Sequence, residues 1–266
     1  HSWSYSVEGN LIATPLHEKD SIDRSAISLK PVKVAQWQAF IFVSLDPNAP
    51  ELIDWLESHY SRPRQLEKFN MTSLKNARTT VDEVKANWKV LGENYSECLH
   101  CAVVHPELVD LVPIYKTGTT IQADRPDWGV SLAEGATGLS FKQNENLPLL
   151  PAMDEIDDYS VFGAYVYPNM LIDISPTVAV ITRYVPRSAT HTTIFTDYLF
   201  SKDAVDNPEV DLEPTISFSD LVNQQDISVC VRVQRGVASK SFTRAYHTKM
   251  ERYCKQLIQR YRSEIS

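Results

Sequence analysis

The densest chemical feature of this chain is the run Glu93-Asn94-Tyr95-Ser96-Glu97-Cys98-Leu99-His100-Cys101-Ala102-Val103-Val104-His105-Pro106. Glu93, Glu97 and His100 are spaced i, i+4 and i+7, so a helix would bring all three to one face. His105 follows His100 by five positions, roughly 140° around a straight helix. Both imidazoles can meet one ion if the helix ends between them. Pro106 favours such an end, because the residue before a proline is pushed out of the α region. A third ligand must come from elsewhere, and Asp226 is the candidate. Val222, Val229, Cys230 and Val233 flank it at helical spacing, so Asp226 falls in an apolar stripe. An unpartnered carboxylate there costs on the order of several kcal/mol unless it is neutralised or binds a cation. Two histidines and one carboxylate with open positions suit a mononuclear Fe(II).

Plainer readings stand beside this one. Asp226 is open to pairing with Arg232 instead, since salt-bridged helix carboxylates are common. Cys98-x-x-Cys101 has the spacing of half a zinc site, but Cys230 and Cys254 do not form the second half. The cysteines are therefore expected to be small packing residues. His17, His59, His191 and His247 are expected to be surface or structural. Tyr165, Tyr167, Tyr184 and Trp128 are candidates for a substrate pocket, although aromatics in strands are usually core.

The elements that must carry these residues follow from periodicity and turn signals. Residues 1–48 read as all-β, with strand pairs around Glu8-Gly9-Asn10 and at 26–34 and 37–45. Asp46-Pro47-Asn48-Ala49-Pro50 is a breaker and an expected domain boundary, dividing 1–48 from 49–266. Residues 51–69 suggest a surface helix broken near Arg62-Pro63. Residues 71–84 suggest a strand, and 87–100 a helix. Residues 116–157 lack periodicity and read as loops of the kind that cover an active site. Strands are expected at 161–167, 170–174, 178–185 and 191–200, then a long helix at 214–238 and a final one at 247–262. The fold class is α+β, an antiparallel sheet packed against helices.

Composition narrows the function. The net charge is −8 and no dense Lys/Arg block occurs, which disfavours nucleic acid and anionic membrane surfaces as partners. No apolar run is long enough for a membrane span. Four cysteines in 266 residues do not make a disulfide scaffold, so a reducing cytoplasm is expected. The chain opens at His1 inside a strand pattern, which reads as a fragment whose upstream part is missing.

Asn87-Trp88-Lys89, Glu93-Asn94 and Glu97-x-x-His100-x-x-x-x-His105-Pro106 together resemble the iron motif of Rieske non-haem iron oxygenase large subunits. Gln225-Asp226 with Gln234-Arg235-Gly236 resembles the same family's third-ligand segment. His1-Ser2-Trp3-Ser4-Tyr5 resembles the strand after the second Cys-x-x-His motif of its Rieske domain. The resemblance implies a helix-grip catalytic domain, its sheet wrapped on a long C-terminal helix, preceded by the remnant of an all-β Rieske domain. It implies a Rieske [2Fe–2S] cluster, with His1 as one ligand, feeding electrons to Fe(II) on His100, His105 and Asp226. Glu97 would bridge the cluster of one subunit to the iron of the next, in a homotrimer supplied by an NAD(P)H-dependent reductase or ferredoxin. No cysteine precedes Cys98, so this chain alone cannot hold the cluster. Glutamate at position 97 resembles the branch that oxidises quaternary amines and N-methyl compounds.

The function expected is O2-dependent hydroxylation or demethylation of a small organic substrate. Two alternatives are a non-enzymatic module binding apolar ligands and a zinc hydrolase on the same three ligands.

Overall fold

The computed structural model describes residues 1–265, apart from 19–20, 60–61, 123–127, 145 and 154–158. The chain forms two compact units, His1–Trp55 and Leu56–Ser266. In the first, β1 (Ser4–Tyr5) pairs antiparallel with β2 (Leu11–Ala13). Gly9 turns the chain between them at φ +87°, a conformation that L side chains rarely adopt. β3 (Lys33–Trp37) and β4 (Phe40–Ser44) form a hairpin. The strand expected at 26–34 is therefore displaced. Pro31 has no N–H to give a ladder, so the strand begins after it, and the turn falls at Gln38-Ala39.

The division between units lies inside α1 (Leu52–Ser58). α2 (Pro63–Glu67) follows a break at Arg62, where the backbone is left-handed. These are not simple surface helices: Leu56 of α1 and Leu66 of α2 are fully buried, as is Phe69 just after α2. Next come β5 (Leu74–Val84), α3 (Trp88–Tyr95), α4 (Cys101–Val104) and α5 (Pro106–Leu111). The middle of the chain supplies β6 (Val130–Ser131), β7 (Ser160–Val166), β8 (Met170–Ile174), β9 (Ala179–Ser188) and β10 (His191–Ser201). α6 (Lys202–Asp206), α7 (Glu213–Val237) and α8 (Arg252–Ile265) complete it. The final helix starts later than its sequence pattern indicates.

Six strands form one antiparallel sheet in the order β5-β10-β9-β8-β7-β6. Side chains alternate between its faces. Ala164, Ile172 and Ile181 lie in register on one face and are buried, and Phe162 of β7 packs on Phe69 at 5.1 Å between ring centroids. Tyr165, Leu171 and Thr182 lie in register on the other face, and Gly163, Asp173 and Val180 form the next row. α3 and α7 cover part of this second face, through a core of Leu91, Leu171, Tyr184, Ile194 and Cys230. Each such side chain contributes about 1.5–3 kcal/mol by leaving water. The architecture is the expected α+β one, with the sheet against a long helix. Residues 116–157 hold one short strand, β6, among the described residues. Leu147 anchors these loops by packing with Tyr198, Phe200 and Ile216. No helix among the described residues is long and apolar enough to cross a membrane.

Candidate metal centre

The histidine segment is built differently from a continuous helix. α3 stops at Tyr95, because local side-chain bonds compete with the helix ladder. The Ser96 hydroxyl donates to the Gly92 carbonyl at 2.7 Å, and Glu97 Oε2 accepts from the Leu99 N–H. Glu93, Glu97 and His100 therefore do not share a helix face, which corrects the expectation from spacing. His100 instead precedes the single turn of α4, and His105 follows it. His105 has φ −122° and ψ 64°, outside the α region as Pro106 requires. That departure swings the second imidazole back toward the first.

The two rings meet α7 at Asp226. His105 Nε2 lies 3.0 Å from Asp226 Oδ1, and His100 Nε2 lies 3.3 Å from the same oxygen. Asn94 Nδ2 donates to that oxygen at 2.6 Å, which ties α3 to α7. On the far sides of the rings, Glu97 Oε1 is 2.5 Å from His100 Nδ1, and Gln225 Oε1 is 2.7 Å from His105 Nδ1. Gln225 is held in turn by donating to Glu107 Oε2 at 3.0 Å. Asp226 does not pair with Arg232, whose Nε donates to the Ser228 carbonyl. The stripe around Asp226 is less apolar than its sequence suggests: Cys230 is buried, but Val233 is 44% exposed.

This donor set fits a metal ion. The three ligand atoms lie within 4.8 Å of one another. Donors about 2.1 Å from one ion and at right angles are about 3.0 Å apart, close to the observed separations. Each Nδ1 has an oxygen partner, which leaves Nε2 of a neutral ring to ligate. The electrostatics agree. Burial pulls the His100 pKa down, but hydrogen bonds and charge from Asp226 and Glu97 outweigh it and lift it to about 9. Burial pushes Asp226 up, but bonds to His100, His105 and Asn94 bring it down to about 2. His100 thus lies between two carboxylates, and Asp226 presents one anionic oxygen to both Nε2 atoms, as a cation would require.

The cluster opens on a cavity of about 1540 Å³. Tyr165, Tyr167, Tyr184 and Trp128 all line it. His59 lines it too and stacks on Tyr167 at 4.8 Å. Asp173, which sequence reasoning passed over, projects from β8 into this space and accepts from Tyr95 Oη at 2.7 Å. Burial pushes its pKa up to about 7, with the Tyr95 bond pulling down and the Asp226 charge pushing up. Gly163, its neighbour on β7, makes room: a Cβ there would lie 2.9 Å from Tyr95 Oη and 3.2 Å from Asp173 Oδ1.

Cys98 and Cys101, expected as small packing residues, do pack against Val109 and Tyr115 but are also joined by a disulfide. Their Cα atoms are 5.0 Å apart. Cys230 and Cys254 are free and buried. His1 is exposed in the first unit, its ring 6.2 Å from that of His17.

Comparison with known proteins gives a consistent result. The carnitine monooxygenase oxygenase subunit of Acinetobacter pittii (strain PHEA-2) is 26% identical over 246 residues, covering 91% of this chain and 62% of the relative. The glycine betaine monooxygenase oxygenase subunit of Pseudomonas aeruginosa (strain PAO1) is 25% identical over 281 residues, covering 94% and 64%. This chain spans about three fifths of the length of these relatives. A solved quaternary ammonium Rieske monooxygenase shares the fold at TM-score 0.73 and 22% identity, over 99% of this chain and 70% of that one. Naphthalene 1,2-dioxygenase from Rhodococcus sp. does so at TM-score 0.61 and 18% identity, over 90% and 62%. Residues 54–266 match the model of the ring hydroxylating alpha subunit (catalytic domain), and the chain belongs to that family.

Proposed function

We propose that this chain is the catalytic part of a Rieske-type oxygenase, and that His100, His105 and Asp226 hold a mononuclear Fe(II). The observation that carries this reading is the convergence of both Nε2 atoms on Asp226 Oδ1. A module that merely binds apolar ligands has no need of it. The iron, when bound, supplies O2 activation on its open positions. The residues around it do the rest. Glu97 and Gln225 fix the orientation of the two rings, and Asn94 fixes that of Asp226. Leu171, Val180 and Ile194, on the sheet face that carries Asp173, make part of the cavity wall apolar.

The substrate class proposed is a small organic cation bearing N-methyl groups, in keeping with the carnitine and glycine betaine relatives. The reaction is hydroxylation or oxidative demethylation. Electrons come from a [2Fe–2S] cluster in a preceding segment, with His1 as one ligand and an NAD(P)H-dependent reductase or ferredoxin as donor. The first unit presents Val34, Ile41 and Val43 at 66–74% exposure. Apolar strand positions so exposed suit a larger β-domain that covers them. Glu97 bridges cluster and iron between neighbours of a cytoplasmic homotrimer.

The test uses the full-length protein. About one iron per chain beyond the cluster is expected, with product formed from a methylated ammonium compound in step with O2 uptake and reductase. Zinc in the site, with turnover in the absence of O2 and reductase, would overturn the reading in favour of a hydrolase.

A further inference from the structure

The cavity has five carboxylates among its described lining residues, and four of them are already engaged. Glu57 pairs with Arg64. Asp82 accepts from Gln224 at 2.8 Å. Glu97 and Asp226 hold the two histidines. Asp173 differs from all of them. Its one hydrogen bond among those described comes from a neutral phenol, Tyr95. Among the described residues no lysine, arginine or histidine pairs with it, while the Asp226 charge opposes its ionisation. A carboxylate placed this deep without a cation is costly unless the fold gains something from it.

The surroundings say what would satisfy it. Tyr95, Tyr115 and Tyr184 are close enough to Asp173 to feel its charge, and all three line the cavity. Aromatic faces attract cations, and quaternary ammonium groups most typically, because their π-systems are electron-rich. A carboxylate among aromatic rings therefore suits an organic cation that cannot donate hydrogen bonds. Shape alone would not hold such a ligand. At about 1540 Å³ the cavity exceeds the volume usual for small-molecule pockets. A fixed charge supplies the orientation that the walls do not.

We propose that Asp173, positioned by Tyr95, is the counter-charge that recognises the cationic nitrogen of the substrate, with Tyr95, Tyr115 and Tyr184 as its aromatic surround. Gly163 belongs to the same device, since any side chain there would collide with the Tyr95–Asp173 pair. Asp173 and Tyr184 sit on the sheet and Tyr95 ends α3, whereas the metal ligands flank α4 and lie on α7. The counter-charge and the metal ligands are thus carried by separate elements. The inference rests on the proposed cationic substrate class and adds the residue that selects it.

The experiment measures binding by titration calorimetry on the full-length, iron-loaded protein. The probes are choline and its neutral carbon isostere, 3,3-dimethyl-1-butanol. Wild type is expected to prefer choline by about tenfold or more, the order of effect of one well-placed charge. Asp173→Asn, which keeps shape and the Tyr95 contact, should bring that preference to within about twofold while iron content stays unchanged. Tyr95→Phe should fall between the two. If Asp173→Asn keeps the full preference, Asp173 is not the counter-charge, and the cationic substrate class still stands. If iron-loaded wild type shows no preference for choline, the substrate class itself fails, and this assignment fails with it.

Discussion

Two carboxylates face one cavity from different walls, and their environments drive them in opposite directions. Asp226, on α7, is brought down to about 2, because two histidines and an asparagine outweigh the cost of burial. Asp173, on β8, is driven up to about 7, because burial prevails over a single tyrosine. Depth is common to both, so the partners decide. The helical layer supplies donors from three directions and builds a finished electrostatic site. Asp173 receives one neutral donor, the Tyr95 hydroxyl at the end of α3, and its charge is left unanswered. A site that completes itself within the protein suits a permanent occupant, whereas one left incomplete suits a passing one.

The contrast predicts a graded series of effects. The largest belongs to the finished site. Asp226→Ala, His100→Ala and His105→Ala should each reduce mononuclear iron to less than roughly a tenth of wild type by metal analysis, with any cluster spectrum intact. Full iron retention in Asp226→Ala would show that another carboxylate is the ligand.

Glu97→Gln comes next. It keeps an oxygen beside His100 Nδ1 but removes the charge, so iron should remain while product per iron falls by about tenfold or more over many turnovers. Wild-type turnover would remove the bridging role, and loss of iron would make Glu97 a support of the ligand set.

On the sheet side the effect is on stability and runs with pH. The Asp173 carboxyl titrates near 3.8 when unfolded and at about 7 in the fold. Between those values the folded protein binds the extra proton, so stability falls as pH rises through the window. The penalty is complete above pH 7. Asp173→Asn carries none of it. The variant's melting temperature should therefore exceed wild type by several degrees at pH 8, an effect on the order of a few kcal/mol. The gain should shrink toward pH 4.5. A gain that does not change with pH would mean that Asp173 is not a buried, ionising carboxyl.

The smallest effect is Gly163→Ala. The new methyl must displace the Tyr95 hydroxyl or the Asp173 carboxylate by a few tenths of an ångström. Choline binding should weaken by roughly threefold, with no change in iron. Unchanged binding would show that the pair does not need its present spacing.

The same rule that finds Asp226 in the sequence also applies to Asp173, and the reason it finds only one is instructive. In a helix, a carboxylate between apolar residues at i−4, i+3 and i+4 can only be on the buried side. In a strand, Met170-Leu171-Ile172-Asp173-Ile174 leaves a lone Asp free to point at solvent. Only the tertiary arrangement reveals that helices and loops cover both faces of this sheet. The long helix, the four late strands and the interrupted helix at 51–69 were legible because their periodicity and breakers agree. The histidine pair was legible in its spacing but not in its route. Side-chain bonds from Ser96 and Glu97 end α3 early, and such local competition is not visible in a 3.6-residue pattern. The disulfide between Cys98 and Cys101 is not legible either, because a three-residue spacing allows two cysteines to pair without saying that they do.

The register of the sheet has a further consequence. Tyr165, Leu171 and Thr182 occupy one row beneath the cavity, and Gly163, Asp173 and Val180 occupy the next. Neighbouring strands are about 4.8 Å apart and successive rows about 6.7 Å apart. The floor is therefore a pegboard whose holes are set by backbone hydrogen bonds and whose pegs are single residues. Exchanging one peg moves a charge, a ring or a void to a known coordinate. None of the pegs is a metal ligand. A lineage with this floor can try new substrates one residue at a time while the oxidising apparatus above it stays untouched.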